Sequence, residues 1–272
     1  MSMLMAVWIL LAMLVTVFST HRVNFTQHVA SSRPTREWLW TIAQNRPFLL
    51  LIGVKLLQLF ALACKSATLV FFVKYVMQRN EATVGLYGLV AGIAAISALP
   101  LWARIAKGHP KHRVMIFATM GQAALTLSWL FAGPDEPMVM FGLRAALLGF
   151  SSAGIILMGQ ALLPDVIEYD YRRTGERREG IFAAFYSVVE KTSFAFAPLI
   201  IGPMLAYAGY APSAETQSPD TIRTIFITLA VLPTAAYLAS LPLLAAYDLT
   251  EEKLRLAREI PRRVSALQDR DR

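Results

Sequence analysis

Apolar residues run along this chain in blocks too long and too unbroken for a soluble fold. Seven such runs occur: Met3–Thr20, Pro47–Val76, Val84–Ala103, Val114–Ala132, Pro137–Leu163, Ile181–Tyr207 and Ile222–Tyr247. A helix needs about 20 mostly apolar residues to cross about 30 Å of hydrocarbon, and each run meets or approaches that length. In lipid a helix satisfies its own backbone groups, which an open strand does not. The pattern predicts an all-α membrane protein with about seven transmembrane helices. The first run has no Lys or Arg before it and no small-residue cleavage signature after it, so it reads as a retained helix rather than a signal peptide.

The polar connections alternate in charge. His21–Arg46 carries Arg22, Arg33, Arg36 and Arg46. Arg104–Arg113 carries Arg104, Lys107, Lys111 and Arg113. Pro164–Gly180 carries Arg172, Arg173, Arg177 and Arg178, and the tail after Asp248 adds seven more basic residues. The intervening connections Gln78–Thr83, Gly133–Glu136 and Gly209–Thr221 hold Arg79 alone. Basic loops stay cytoplasmic. The chain is therefore expected to start outside, cross a plasma (inner) membrane seven times and end in the cytoplasm.

Composition agrees with that reading and removes a competitor. The 272 residues are 56% hydrophobic and 16% charged, with net charge +8. Soluble domains are nearer 45–50% and 25%. A basic balance of this size would suggest nucleic acid in a soluble chain, but topology accounts for it here, so the expected surroundings are a lipid bilayer and no nucleic acid. The single cysteine, Cys64, lies in an apolar run, where it reads as a small buried hydrophobe. One cysteine builds neither a disulfide framework nor a structural zinc site. His21, His28, His109 and His112 all fall in basic loops, no metal-ligand cluster or nucleophile–base pairing is visible, and neither an enzyme nor a bound cofactor is expected.

Many transporters consist of two six-helix halves. One helix, a long polar basic loop and six helices correspond to the last helix of an N-terminal half (residues 1–20), a cytoplasmic linker (21–46), a six-helix C-terminal half (47–247) and a basic tail (248–272). On this reading the chain is partial, truncated at its N-terminal side.

Charges inside spans are costly and face a cavity or a partner. Lys55 and Lys74 lie toward span ends and are expected to snorkel to the interface. Lys65, Arg144, Glu190 and Lys191 lie deeper and are the candidates for a substrate or translocation path. Adjacent helical residues point about 100° apart, so one arrangement has Lys191 facing the path while Glu190 pairs with a basic residue on a neighbouring helix; an interhelical ion pair without substrate is the plainer alternative. Gly88 and Gly92 have the GxxxG spacing that lets helices approach closely. Gly142, Gly149, Gly154 and Gly159 in the fifth run, and Pro198, Gly202 and Pro203 in the sixth, mark helices expected to bend or break, which can open backbone groups to a cavity.

The segment Ala161–Gly180, ALLPDVIEYDYRRTGERREG, interleaves acids with arginines. Pro164 is poorly suited to a helix interior, so a loop is expected to follow it. Asp165, Glu168, Asp170, Arg172, Arg173, Arg177 and Glu179 are candidates for a cytoplasmic gate made of ion pairs. Exposed pairs contribute only about 0–1 kcal/mol each, so such a latch acts collectively or is simply a solvated loop.

This segment and its flanks resemble the glycoside–pentoside–hexuronide:cation symporters, the melibiose-permease-like branch of the major facilitator superfamily. PDVIEYDY, TGERREG and FYSVVEKTSFAFAP stand where that family has an acidic stretch, a "tG.RrEg" stretch and a helix with a lysine, which falls on Lys191. NRPFLLL at Asn45–Leu51, FFVKYVM at Phe71–Met77 and YDLTEEKLRL at Tyr247–Leu256 extend the likeness over nearly the whole chain. The resemblance implies spans seven to twelve of the fold, and transport of a sugar or related small polar solute by symport with Na+ or H+. It also implies that the coupling-ion site lies mainly in the N-terminal half, supplied as a missing half or replaced by a second copy. Two features depart from a sugar carrier: that half is not in this sequence, and Ile155–Met158 stand where a ring-stacking aromatic would be useful. The alternative reading is a non-transporting membrane module, or a half-transporter that needs a separate partner chain.

Overall fold

The computed structural model of the chain describes residues 2–20, 42–176, 178–212, 214–249 and 253. It divides into two compact units, Met1–Leu39 and Trp40–Arg272. The first unit holds helix α1 (Ser2–Thr20), apolar throughout and exposed along its described side chains. Most of the expected linker and most of the tail lie outside the described residues.

The second unit is a bundle of long helices. Its elements are α2 (Arg46–Phe71), α3 (Ala82–Gly108), α4 (Lys111–Leu127), α5 (Met138–Thr174), α6 (Glu179–Tyr207), α7 (Pro219–Phe226) and α8 (Leu232–Ala245). A π-helical turn, Phe72–Val76, extends α2, and a 3-10 turn, Ser128–Phe131, extends α4. A second π-helical turn, Ile227–Val231, joins α7 to α8 immediately before Pro233. Proline removes one backbone donor and crowds the preceding turn; the wider π turn accommodates it. Six segments are long and apolar enough to cross a membrane: Arg46–Val76, Ala82–Gly108, Lys111–Phe131, Met138–Thr174, Glu179–Tyr207 and Pro219–Ala245. With the apolar α1 they correspond to the seven runs of the sequence.

Polar caps fix the helix starts. Asn45 precedes α2, and its Oδ1 accepts from the Phe48 amide at 3.1 Å. Ser218 caps α7 by accepting from the Thr221 amide at 3.2 Å, with Pro219 in the first turn, where its missing N–H costs nothing.

Two boundaries differ from expectation. The fifth span does not end at Leu163: α5 continues through Pro164 to Thr174, 37 residues in all, or about 55 Å at 1.5 Å per residue. Proline costs the helix one hydrogen bond, and side chains beyond it hold the extension in place, as described below. The helix ends at Gly175, whose φ of 72° is the left-handed conformation that glycine tolerates. Its amide donates to the Tyr171 carbonyl at 2.8 Å. Likewise the basic stretch Arg104–Arg113 is not one loop. Arg104 and Lys107 ride on the end of α3, and Lys111 and Arg113 on the start of α4.

The helices pack as an arc in the order α3, α5, α4, α8, α2, α6, with α2 also touching α5. Glycines set the closest approaches. A Cβ at Gly149 would strike the Ala91 backbone, and one at Gly154 would strike the Trp102 ring and Ala118. The Trp102 indole N–H donates to the Phe150 carbonyl at 2.8 Å across the same interface. Gly149 and Gly154 therefore mark close packing, Gly142 meets nothing within 4 Å among the described residues, α5 is unbroken, and α6 is likewise continuous through Pro198 and Pro203. A Cβ at Gly88 or Gly92, which carry the GxxxG spacing, would meet nothing within 4 Å among the described residues.

Two apolar cores divide the bundle lengthwise. One centres on Phe48, Met115, Leu162 and Phe182, and the other on Phe72, Trp129, Phe141 and Ile225. The arc's outer members are less covered: α3 buries Thr83, Ala98 and Trp102, and α6 a single stripe from Phe182 to Leu205.

Candidate functional site

Charged residues collect at the two ends of the bundle and on the exposed side of α6. At the end where α2 begins, Asp170 is 1% exposed. The Asn45 side-chain amide donates to its Oδ1 at 3.2 Å, while Arg178 stands 3.9 Å from Oδ2. Asn45 thus caps α2 with its oxygen and holds α5 with its nitrogen. Arg178 also donates to Glu176 at 2.7 Å. Lys111, opening α4, donates to Asp165 at 2.6 Å. Glu168 accepts from Arg172 one turn along the helix, and Arg173 donates to the Gln44 carbonyl at 3.4 Å. These links explain why α5 persists past Pro164: its polar extension is tied to α2, to α4 and to the segment that leads into α6.

Of the expected gate residues, the structure draws Asp165, Glu168, Asp170, Arg172 and Arg173 into this cluster. Glu179 opens α6 and is exposed, where an acid complements the helix dipole. Arg177 lies outside the described residues. Arg178, one of the four arginines interleaved in that segment, joins the cluster with Asn45 and Lys111, to which sequence reasoning gave no gate role. The signal for Asn45 is its place before Arg46-Pro47, a helix-start pattern that leaves its amide free for a partner.

At the opposite end, Arg144 donates through Nη1 to both Glu136 oxygens, at 2.5 and 2.8 Å, and through Nε to Ser128 at 3.0 Å. Its guanidinium carbon lies 4.7 Å from the centroid of the Trp129 ring. Arg79 donates to the Glu136 carbonyl at 2.7 Å. Arg144 is therefore held in a clamp that joins the end of α4, the turn before α5, and α5 itself.

The α6 charges are placed differently. The helix buries Phe182, Tyr186, Val189, Ser193, Ala197, Ile201 and Leu205 and leaves Glu190 and Lys191 exposed. Lys191 stands twelve residues into this 29-residue helix, about 18 Å from its start. Lys55 is 5% exposed rather than snorkelling. Its Nζ lies 5.6 Å from the centroid of the Tyr186 ring, and Gly159 leaves room for it, since a Cβ there would strike the amine. Lys65 is also 5% exposed. It shares a face of α2 with Gln58, which turns into the bundle. Among the described residues no group of three or more His, Cys, Asp or Glu is placed to hold a metal ion.

Comparison with known proteins accords with this architecture. The family model described as MFS/sugar transport protein matches residues 1–251. An uncharacterized symporter from Synechocystis sp. is 26% identical over 227 residues, which is 82% of this chain and 42% of that protein. A glucuronide carrier protein homolog from Escherichia coli K12 is 28% identical over 222 residues, 80% of this chain and 47% of that protein. A putative glycoside/cation symporter from the same organism is 24% identical over 246 residues, 89% of this chain and 52% of that protein. The chain thus spans about half the length of these curated relatives.

Proposed function

For a chain that belongs to the MFS/sugar transport family, we propose the role of the C-terminal half of a secondary active transporter. It moves a small polar, polyhydroxyl solute by alternating access, coupled to Na+ or H+. The polypeptide is a multi-pass protein of the plasma (inner) membrane, with its N-terminus outside and its C-terminus in the cytoplasm. The gathering of Arg46, Arg104, Lys107, Lys111, Arg172 and Arg173 at one end of the bundle supports that orientation.

The observation that carries the proposal is the exposed pair Glu190–Lys191, deep in an apolar helix that buries only one stripe. A lysine or an acid facing lipid at mid-span costs about 2.5–3.5 kcal/mol or more. A face that bears both is stable beside an aqueous path or a partner helix. The α3 surface of Gly85, Gly88 and Gly92 is equally open, and it offers a second close-packing face to an N-terminal half. Lys191 then attracts anionic or hydroxyl-rich solute, which suits the carboxylate of a glucuronide and the hydroxyls of a glycoside. The cluster around Asp170 acts as the cytoplasmic gate. Arg144, engaged by Glu136, and Lys65, facing inward, are not assigned to the path.

The test is uptake of glucuronides and neutral glycosides by this chain together with its N-terminal half in proteoliposomes. Lys191→Ala is expected to reduce uptake at least tenfold with normal insertion, and Lys191→Arg to recover part of it. Unchanged uptake of every accepted solute by Lys191→Ala refutes the role of Lys191.

A further inference from the structure

The corner that joins α3 to α4 is basic, and neither the gate nor the clamp at the opposite end uses most of it. From Ala82 to Pro134 the chain holds no Asp or Glu, while Arg104, Lys107, Lys111 and Arg113 fall within ten residues. Lys111 is engaged by Asp165 of α5. Arg104, Lys107 and Arg113 are exposed, and they make no side-chain hydrogen bond or ion pair among the described residues.

The packing gathers these three cations. A Cβ at Gly154 of α5 would lie 2.7 Å from the Trp102 ring of α3 and 2.8 Å from the Ala118 methyl of α4, so the two helices close on each other at that level. Arg104 follows Trp102 by two residues, Arg113 precedes Ala118 by five, and His109 and Pro110 alone separate the helices. Pro110 offers no side chain to cap α4, so the positive end of that helix dipole adds to the corner.

An apolar row leads up to each cation. Arg104 stands eleven residues after Ile93, and Lys107 eleven after Ile96, which is three turns and within about 20° of the same face. On α4, Arg113, Phe117 and Met120 follow at steps of four and three residues, again one face. Ile93, Ile96, Phe117 and Met120 are each more than half exposed. Eleven residues rise about 16 Å, and half of a hydrocarbon core is about 15 Å deep. The α3 row is distinct from the face offered to an N-terminal half: Leu89 and Ile93 each follow a glycine of the Gly88–Gly92 pair, about 100° further round the helix. Cytoplasmic retention asks only for charge in a loop. It does not ask for three unpaired cations at one corner, each standing over an exposed apolar row one leaflet deep.

We propose that Arg104, Lys107 and Arg113 form a docking site for the headgroup of an anionic phospholipid, whose acyl chains lie along Ile93, Ile96, Phe117 and Met120. The guanidinium groups donate to the phosphate oxygens in charge-assisted hydrogen bonds, and the Lys107 ammonium adds charge. The bound lipid bridges α3 and α4 at the end where they turn. The site is independent of the solute path along α6.

The test is thermal unfolding of the purified full chain in dodecyl maltoside, titrated with dioleoyl phosphatidylglycerol, with dioleoyl phosphatidylcholine as the neutral counterpart. Phosphatidylglycerol is expected to raise Tm saturably by several degrees, and phosphatidylcholine to leave it unchanged. A cation beside an anionic headgroup contributes about fivefold. Arg113→Gln should therefore raise the phosphatidylglycerol midpoint about fivefold, and Arg104→Gln/Lys107→Gln about twenty-fold. The midpoint is read from each variant's own lipid-free Tm, so a small change in stability does not obscure it. Arg46→Gln removes another exposed cation at the same end of the bundle and should leave the midpoint unmoved. Equal responses to the two lipids overturn the proposal, as does an unmoved midpoint in the double variant. An Arg46→Gln shift as large as that of Arg113→Gln also overturns it, since the effect is then general surface charge. The same rise with glycerol 1-phosphate overturns it in favour of a soluble phosphate.

Discussion

Replacing Arg144 with methionine separates a clamp from a substrate-binding residue. The Arg144 and Glu136 side chains are 10% and 8% exposed, and the substitution strips both short hydrogen bonds from the Glu136 carboxylate. Arg79 reaches only the Glu136 backbone carbonyl. Removing one partner of a buried pair typically costs about 3–5 kcal/mol. The lost contact with the Trp129 ring adds about 0.5–2 kcal/mol, while residual exposure near the bundle end pulls the other way. The low end, about 3 kcal/mol, is the working figure, equivalent to a factor of about 150 in the unfolding equilibrium at RT of about 0.59 kcal/mol. The assay is reversible unfolding in mixed micelles with a double-mutant cycle. Arg144→Met alone should be strongly destabilised, and Arg144→Met/Glu136→Leu should recover most of the loss, because no carboxylate is then left buried. Arg144→Lys should fall between, since an ammonium cannot span both oxygens and the ring. An effect below about 1 kcal/mol for Arg144→Met, or simple additivity in the double variant, refutes the clamp; lost uptake with intact stability places Arg144 on the path instead.

Three other outcomes follow from the packing and the ion pairs. Asn45→Ala removes a helix cap and a hydrogen bond to a buried carboxylate, together about 2–4 kcal/mol; Asn45→Asp, which keeps a cap but sets two acids together, should recover none of the loss at neutral pH in the same unfolding assay. Gly149→Ala should lower stability by about 1–3 kcal/mol by forcing α5 off the Ala91 backbone, whereas Gly88→Ala should change the stability of the chain alone by less than about 0.5 kcal/mol. Lys111→Ala should cost at most about 1 kcal/mol, because that pair is only partly buried, and the loss should shrink at high salt.

Much of the fold is legible in the sequence because membrane helices are specified by run length, a local property. The end of α5 is not. Pro164 signals a break, but what sustains the helix is tertiary: Lys111 on Asp165 and Asn45 on Asp170, from residues 54 and 125 positions away. Glycine spacing shows which faces are small but not what meets them, so Gly88 and Gly92 stand open while Gly149 and Gly154 are pressed against α3. Lys55 illustrates the same limit. Its distance from the helix end favours snorkelling, and only the cleft made by Gly159 and the Tyr186 ring gives it a place inside. Lys191 is readable as a site candidate from its family-like surroundings, whereas the burial of Lys65 emerges only from the packing of the bundle.

Thiol labelling of single cysteines on α6, in a Cys64→Ser background and in native membranes, tests the central claim most directly. Lys191→Cys should react with a membrane-impermeant charged thiol reagent, and Ala197→Cys, on the buried stripe, should not. A position 191 as inert as position 197 would contradict an aqueous path along this face.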